Sequence, residues 1–237
     1  MKDILKIKLV PLYEKMLYSF SEKEELYPFC MQWGKHFPFE QGSGILFVGK
    51  ATNGWAYPTT DIKKVFLESG EGIFARNDQM EWVHSCESSI NGYNSKKSAF
   101  WRVVKKVSQS LYGKEEWYSK VAWSNLYKMA PSSGNPSGRI RNKQIEACKL
   151  ILGEEINALS PKYVVFLTSG WENAFIKHLF NSCESKPIQQ LHWGSGFTSK
   201  AYLIDGITYI TSPHPQGKRE DQHVDAINKL ISAIEVN

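Results

Sequence analysis

The chain has 237 residues, a formal net charge of +5, 42% hydrophobic and 22% charged residues, the proportions of one ordinary globular domain with a full core. No stretch approaches ~20 apolar residues, which argues against a helical membrane span. Lysines interrupt Met1 to Val10, unlike the unbroken apolar core of a signal peptide, so a cytoplasmic protein is expected.

In chain order, Leu12, Met16 and Phe20 at four-residue spacing predict a short helix over 12–20. Ile45 to Val48 is a continuous apolar run between two glycines, which suits a strand buried on both faces. Residues 53–98 are mixed, polar and turn-rich, and read as a long excursion over a site. A helix follows at 99–111, with Phe100, Val103, Val104, Val107 and Leu111 on one side. Val121 to Leu126 is a second strand. A loop rich in Pro, Ser and Gly (130–138) leads to a long helix at about 141–159, carrying Ile145, Cys148, Leu152, Ile156 and Leu159 on one face and ended by Pro161. Tyr163 to Leu167 is a third buried strand, with a helix after it. Ala201 to Ile204 and Ile207 to Ile210 flank Asp205-Gly206, a two-residue hairpin signal. A loop containing Pro213-His214-Pro215 and a helix at about 220–235 close the chain. Strands alternating with helices indicate an α/β fold. The loops starting at Gly49, Tyr127, Thr168 and Thr211 then share the sheet edge where ligands bind.

Four features in those loops bear on chemistry. Gly44-Ile-Leu-Phe-Val-Gly49-Lys50 is not a phosphate loop, because a strand separates its glycines and Ala51 follows the lysine. Gly49-Lys50-Ala51-Thr52-Asn53-Gly54-Trp55 ends the first strand with small residues that let a ligand approach the backbone. Asn53 can hold a water or a base edge, or simply make a turn. Asn125 ends the second strand, either as a cap or as a ligand group. His214 is fixed between two prolines after the last strand, at a defined position on the ligand edge. Cys30, Cys86, Cys148 and Cys183 lie far apart without a C-x-x-C pair, so buried free thiols and no zinc site are expected. The eight Trp are either packing residues or stacking platforms for bases.

The segments "ILFVGKATNGW", "AFWRVV", "AWSNLYK", "GNPSGRIRNKQIEACKLILGEEINALSPKYVVFLTS" and "TSPHPQG" follow in order over roughly 45–235. Their order resembles that of the uracil-DNA glycosylase superfamily: a first-motif strand, a Thr-Asn-x-x-Lys strand, a Leu-x-Pro-Lys helix end and a His-Pro-Ser loop. The resemblance implies one three-layer α/β/α domain over 1–237, with a central, mainly parallel sheet of about four strands and an N-terminal helical extension of about 1–40.

The same resemblance implies that the chain binds DNA and hydrolyses the N-glycosidic bond of uracil or a related damaged base. His214 would donate to the base carbonyl as negative charge builds there, and Asn125 would read the base edge. Gly49, Ala51 and Trp55 would line the substrate. Arg139, Arg141, Lys143, Lys218, Arg219 and Lys96 would touch phosphates. The chain departs from the family where Lys50 and Ala51 replace the residue that positions the attacking water, and where Gln216 replaces the Ser after His-Pro. Asn53 replaces that water-positioning residue only if the loop shifts. Lys50 opposes a sugar cation unless burial lowers its pKa enough to make it an amine nucleophile. Cys148 matches one ligand of the family's iron–sulfur branch, but Met129 stands where its neighbour would be, so no cofactor and no metal are expected. Two other readings stay open: a catalytically weak or inactive nucleic-acid or nucleotide binder on this fold, and a hydrolase of a small nucleoside-type ligand. No membrane contact or obligate protein partner is implied.

Overall fold

The computed structural model describes residues 2–20, 25–40, 42–53, 61–70, 72–90, 92–180 and 186–235. The first half contains α1 (Lys2–Leu17), β1 (Tyr27–Pro28), β2 (Gln32–Trp33), β3 (Ser43–Gly49), α2 (Ile62–Val65), α3 (Glu81–Ser85) and α4 (Ala99–Tyr112). The second half contains β4 (Ala122–Asn125), β5 (Met129–Ala130), α5 (Gly138–Leu159), β6 (Pro161–Leu167) and α6 (Asn173–Leu179). It ends with β7 (Gln189–Trp193), β8 (Phe197–Ile204), β9 (Ile207–Ser212) and α7 (Glu220–Glu235).

Seven strands make one mixed sheet in the order β2-β4-β3-β6-β9-β8-β7, and β1 pairs with β5 apart from it. The inner strands β4, β3, β6 and β9 are parallel, while β2, β8 and β7 join antiparallel. The sheet is therefore larger and more mixed than the expected four mainly parallel strands. Its added members carry weak sequence signals: β2 is two residues long, and β7 reads Gln-Gln-Leu-His-Trp.

Side-chain alternation along β3 explains the layering. Leu46 and Val48 join a core built with Leu5, Leu9 and Tyr13 of α1 and Ile151, Leu152 and Ile156 of α5. Ile45 and Phe47 join a core on the opposite face with Val103, Val104 and Val107 of α4 and Ile227, Leu230 and Ile231 of α7. Helices thus cover both faces, and an apolar run without alternation is what such a strand requires. Trp33, Trp101, Trp117, Trp123 and Trp193 are buried, so packing accounts for most of the tryptophans. Among the described residues, no helix is long and apolar enough to cross a membrane.

Two expected helix starts move. Helix α1 runs from Lys2 through Pro11 to Leu17 instead of over 12–20, because Leu5, Leu9, Tyr13 and Met16 form one buried stripe. The N-terminal stretch is also not wholly helical, since β1 and β2 fall within it. Helix α5 begins at Gly138, where the Ser137 hydroxyl accepts the Ile140 N–H, an N-cap that satisfies an otherwise unpaired donor. It ends at Ser160, whose left-handed φ of 43° stops the helix before Pro161. At the hairpin, Asp205 and Gly206 have φ of 49° and 80°, the paired left-handed geometry that twisted strands favour.

One buried polar network fastens the segment after β4. Lys128 Nζ donates to Glu155 Oε2 and to Ser124 Oγ, both at 2.7 Å, and Ser124 Oγ donates to the same carboxylate at 2.7 Å. All three residues are fully buried. The Gln144 side chain accepts from the N–H groups of Lys128 and Met129 and donates to the Met129 carbonyl. Removing one partner of a buried pair strands the other charge, at about 3–5 kcal/mol, whereas an apolar replacement of both is often tolerated. We predict a loss of that order for K128M in urea denaturation, and recovery of most of it in the double variant K128M/E155L. A single variant as stable as the native chain would contradict this account.

Candidate functional site

Helices α4 and α5 each lead into a parallel strand, and α7 follows one. Their N-termini therefore sit at the edge where β3, β4, β6 and β9 end. The loops after those four strands meet there, at the crevice position typical of α/β sheets.

The first two loops are zipped together. Leu126 N–H donates to the Gly49 carbonyl at 2.9 Å, and Tyr127 N–H to the Lys50 carbonyl at 3.0 Å. This seats the Asn125 side chain directly over Gly49, where a Cβ would collide with Asn125 Oδ1. Glycine at 49 is thus a space requirement. Asn125 is 2% exposed, and its Nδ2 has no hydrogen-bond partner among the described residues. An unpartnered buried amide donor is costly, and it points to a group supplied from outside. Thr52 Oγ1, in the loop after β3, is also buried and has no partner among the described residues.

Across the crevice, His214 N–H donates to Ser169 Oγ at 2.7 Å, tying the loop after β9 to the loop after β6. Gln216 N–H donates to His214 Nδ1 at 3.3 Å, which leaves Nε2 to carry the proton of the neutral ring. Burial, with the charges of Lys50 and Lys218, pushes the His214 pKa down to about 4. The imidazole is therefore a neutral N–H donor at pH 7. Below it, Trp193 Nε1–H donates to Ser199 Oγ at 2.9 Å, Ser199 and Ser212 hydroxyls meet at 2.7 Å, and Ser212 Oγ meets His223 Nε2 at 2.7 Å. This chain anchors the end of β9 to β8, β7 and α7. His223 is fully buried, and burial lowers its pKa to about 4 as well.

Lys50 lies 5.0 Å from the Trp171 ring centre, and the Arg141 guanidinium lies 4.3 Å from the same ring. Both contacts fall within cation–π range. Burial and the Lys218 charge lower the Lys50 pKa, with Glu172 opposing that shift. Glu172 is buried, at 5% exposure, and its carboxylate accepts from Thr168 Oγ1.

The structure thus brings Lys50, His214 and Lys218 into one electrostatic neighbourhood and sets Asn125 on Gly49. Strands β4 and β9 are three ladder spacings apart, so Asn125 and the His214 loop lie about 14 Å apart across the sheet. Asn53 is exposed, and its Oδ1 accepts the Gly134 N–H at 2.8 Å. It ties the first loop to the 131–137 loop, and its acceptor oxygen is occupied. Ala51 is partly buried beside Lys50, and Trp55 lies outside the described residues.

Of the cations, Lys96 sits just before α4, Arg139, Arg141 and Lys143 in the first turns of α5, and Lys218 and Arg219 before α7, all toward this edge. Their side chains diverge. Lys143 Nζ lies 5.5 Å from the Phe20 ring centre, Lys218 Nζ lies 4.9 Å from that of Phe197, and Arg219 pairs with Asp221 at 2.9 Å. Sequence reading missed Ser169, Trp171 and Glu172. The signal was available in the loop starting at Thr168, which it had placed on the ligand edge. Compared with known proteins, the chain matches no family model and no curated protein.

A pH dependence follows from the two histidines. Each has a native pKa near 4, against about 6.5 when unfolded. Between those values the unfolded chain binds more protons, so stability is full above pH 6.5 and falls as pH drops toward 4. We expect H223Q to flatten that slope in denaturation at pH 7, 5.5 and 4.5. Histidine resonances for His214 and His223 that titrate near 6.5 would contradict the assignment.

Proposed function

We propose that this edge binds a nucleobase extruded from DNA and that the chain is a glycosylase-type hydrolase acting on uracil or a related base. The observation that carries the reading is the buried Nδ2–H of Asn125, unpartnered among the described residues, on the same crevice as a neutral His214. The free group is a donor, so it calls for a carbonyl on the base edge. Uracil, hypoxanthine and xanthine carry one where cytosine and adenine carry an amine. Cleaving the N-glycosidic bond builds negative charge on the departing base. A fixed neutral N–H at His214 Nε2 suits that charge, because it is already oriented and exchanges no solvent during reaction. The ordered uracil-DNA glycosylase-like motifs and the cation-bearing rim support DNA as the carrier of the base, since phosphate contacts supply affinity without sequence choice.

Burial and Lys218 lower the Lys50 pKa, which eases release of its proton. The deprotonated amine attacks the sugar carbon as the bond to the base breaks and the base departs. Borohydride trapping of a covalent DNA adduct identifies this role.

A second reading has its own observation. Lys50 and Ala51 replace the family's water-positioning residue, and Asn53 Oδ1 is spent on Gly134. A protein so built binds the base and turns it over weakly or not at all.

The experiment is a release assay on single- and double-stranded oligonucleotides carrying uracil, hypoxanthine or xanthine. We expect base release from at least one, a 10²–10³-fold loss in H214A, and weaker discrimination against cytosine in N125A. Salt-sensitive binding without release selects the second reading. Absence of both binding and release overturns the proposal.

A further inference from the structure

Beside the Ser169–Pro213 corner, the sheet face under α6 changes character. Alternation along β8 puts Thr198, Lys200 and Tyr202 toward α6, with Ser199 and Ala201 on the opposite face. Lys200 pairs directly across the ladder with Thr211 of β9, which also faces α6. On β3 and β6 the corresponding face carries Leu46, Val48, Val164 and Phe166. An inner sheet face covered by a helix is normally apolar, and this part of it is not. Helix α6 is seven residues long, and between it and β8–β9 lies a cavity of about 620 Å³.

Phe180 and Tyr202 give the cavity an aromatic wall, with ring centres 5.5 Å apart. Lys177 of α6 and Lys200 of β8 both line it, one from the helix and one from the sheet. Neither ammonium has an ion-pair partner among the described residues. Glu172 and Ser169 line it as well. Two cations from facing elements line a space that apolar side chains would fill better if packing were the only need. An anion bound there meets a cation from the helix and one from the sheet. The volume falls in the range of about 300–1,000 Å³ usual for small-molecule sites.

We infer that this cavity is a second ligand site, for a flat-ringed organic anion of mononucleotide size. The ring packs on Phe180 and Tyr202, Lys177 and Lys200 hold the anionic group, and a ring N–H of the ligand meets the Glu172 carboxylate. None of Lys50, Asn125 and His214 lines it, so the site does not depend on the base-release reading.

The test is calorimetric titration of the full chain with uridine 5′-monophosphate, uridine and inorganic phosphate. We expect saturable one-to-one binding of the monophosphate, and affinity at least tenfold lower for uridine and for phosphate, each of which lacks half of the recognition. The exposed K177A and the stem-preserving K200M should each weaken the monophosphate about tenfold, while N125A and H214A leave its affinity in place. The inference is overturned if the monophosphate does not bind at millimolar concentration, or if phosphate alone binds as well. It is equally overturned if N125A and H214A abolish binding while K177A leaves it intact, which would put the ligand in the crevice.

Discussion

The buried contact between Lys128 and Glu155 is the constraint on which the geometry of the crevice rests. Lys128 follows Asn125 by three residues, and its ammonium returns to Ser124 on the other side of that asparagine. The turn carrying Asn125 is therefore held at both ends and bolted to α5 through one carboxylate. Gln144, one turn beyond Arg141 on the same helix, pins the next two backbone amides. With the turn fixed, Asn125 has one place to go, onto Gly49. Without that anchorage its amide could turn to satisfy its own hydrogen bonds, and the crevice would lose its free donor. A buried ion pair is weak evidence for net stability, because desolvation consumes much of the attraction. Here its visible consequence is position.

The same logic explains what the sequence made legible. Strands β3, β4 and β6 could be read because burial on both faces leaves an apolar run, and the Asp205-Gly206 turn because few residue pairs accept two left-handed φ values. Helices α4, α5 and α7 could be read from their stripes. The sheet edges could not. Strand β2 is too short to show a period, and β7 is half exposed, so its Gln, His and Trp obey no apolar rule. Helix α1 was hidden by Pro11, which ordinarily breaks a helix, whereas packing against α5 carries it through.

For the site, chain topology did more than residue type. His214, Lys50 and Asn125 could be named because each stands at or just after a strand end. Glu172 and Trp171 stand in a turn whose start was recognised but whose contents looked ordinary. Lys128 and Glu155 were invisible as a pair, since lone charged residues in a sequence read as surface. Asn53 shows the limit of type-based reasoning: an asparagine at a ligand edge turns out to accept a backbone N–H from the neighbouring loop. Lys143 and Arg219 show it too, being near the right edge in the backbone while their side chains lean on Phe20 and Asp221.

The electrostatics of the edge connect these pieces. Lys50 and Lys218 act on His214 in the same sense as burial, all three favouring the uncharged ring. Lys50 is itself pushed toward neutrality by burial and Lys218, with Glu172 pulling the other way. The basic groups thus lower the proton affinity of His214 and of Lys50. An arriving phosphate or a departing anionic base reverses the balance: negative charge between them raises every one of these proton affinities together. On the base-release reading, His214 is then a neutral donor when the substrate arrives and becomes more willing to hold its proton as charge develops on the base. The developing charge itself strengthens the interaction, so stabilisation grows along the reaction and not at binding, which is the condition for an interaction to raise the rate of the chemical step.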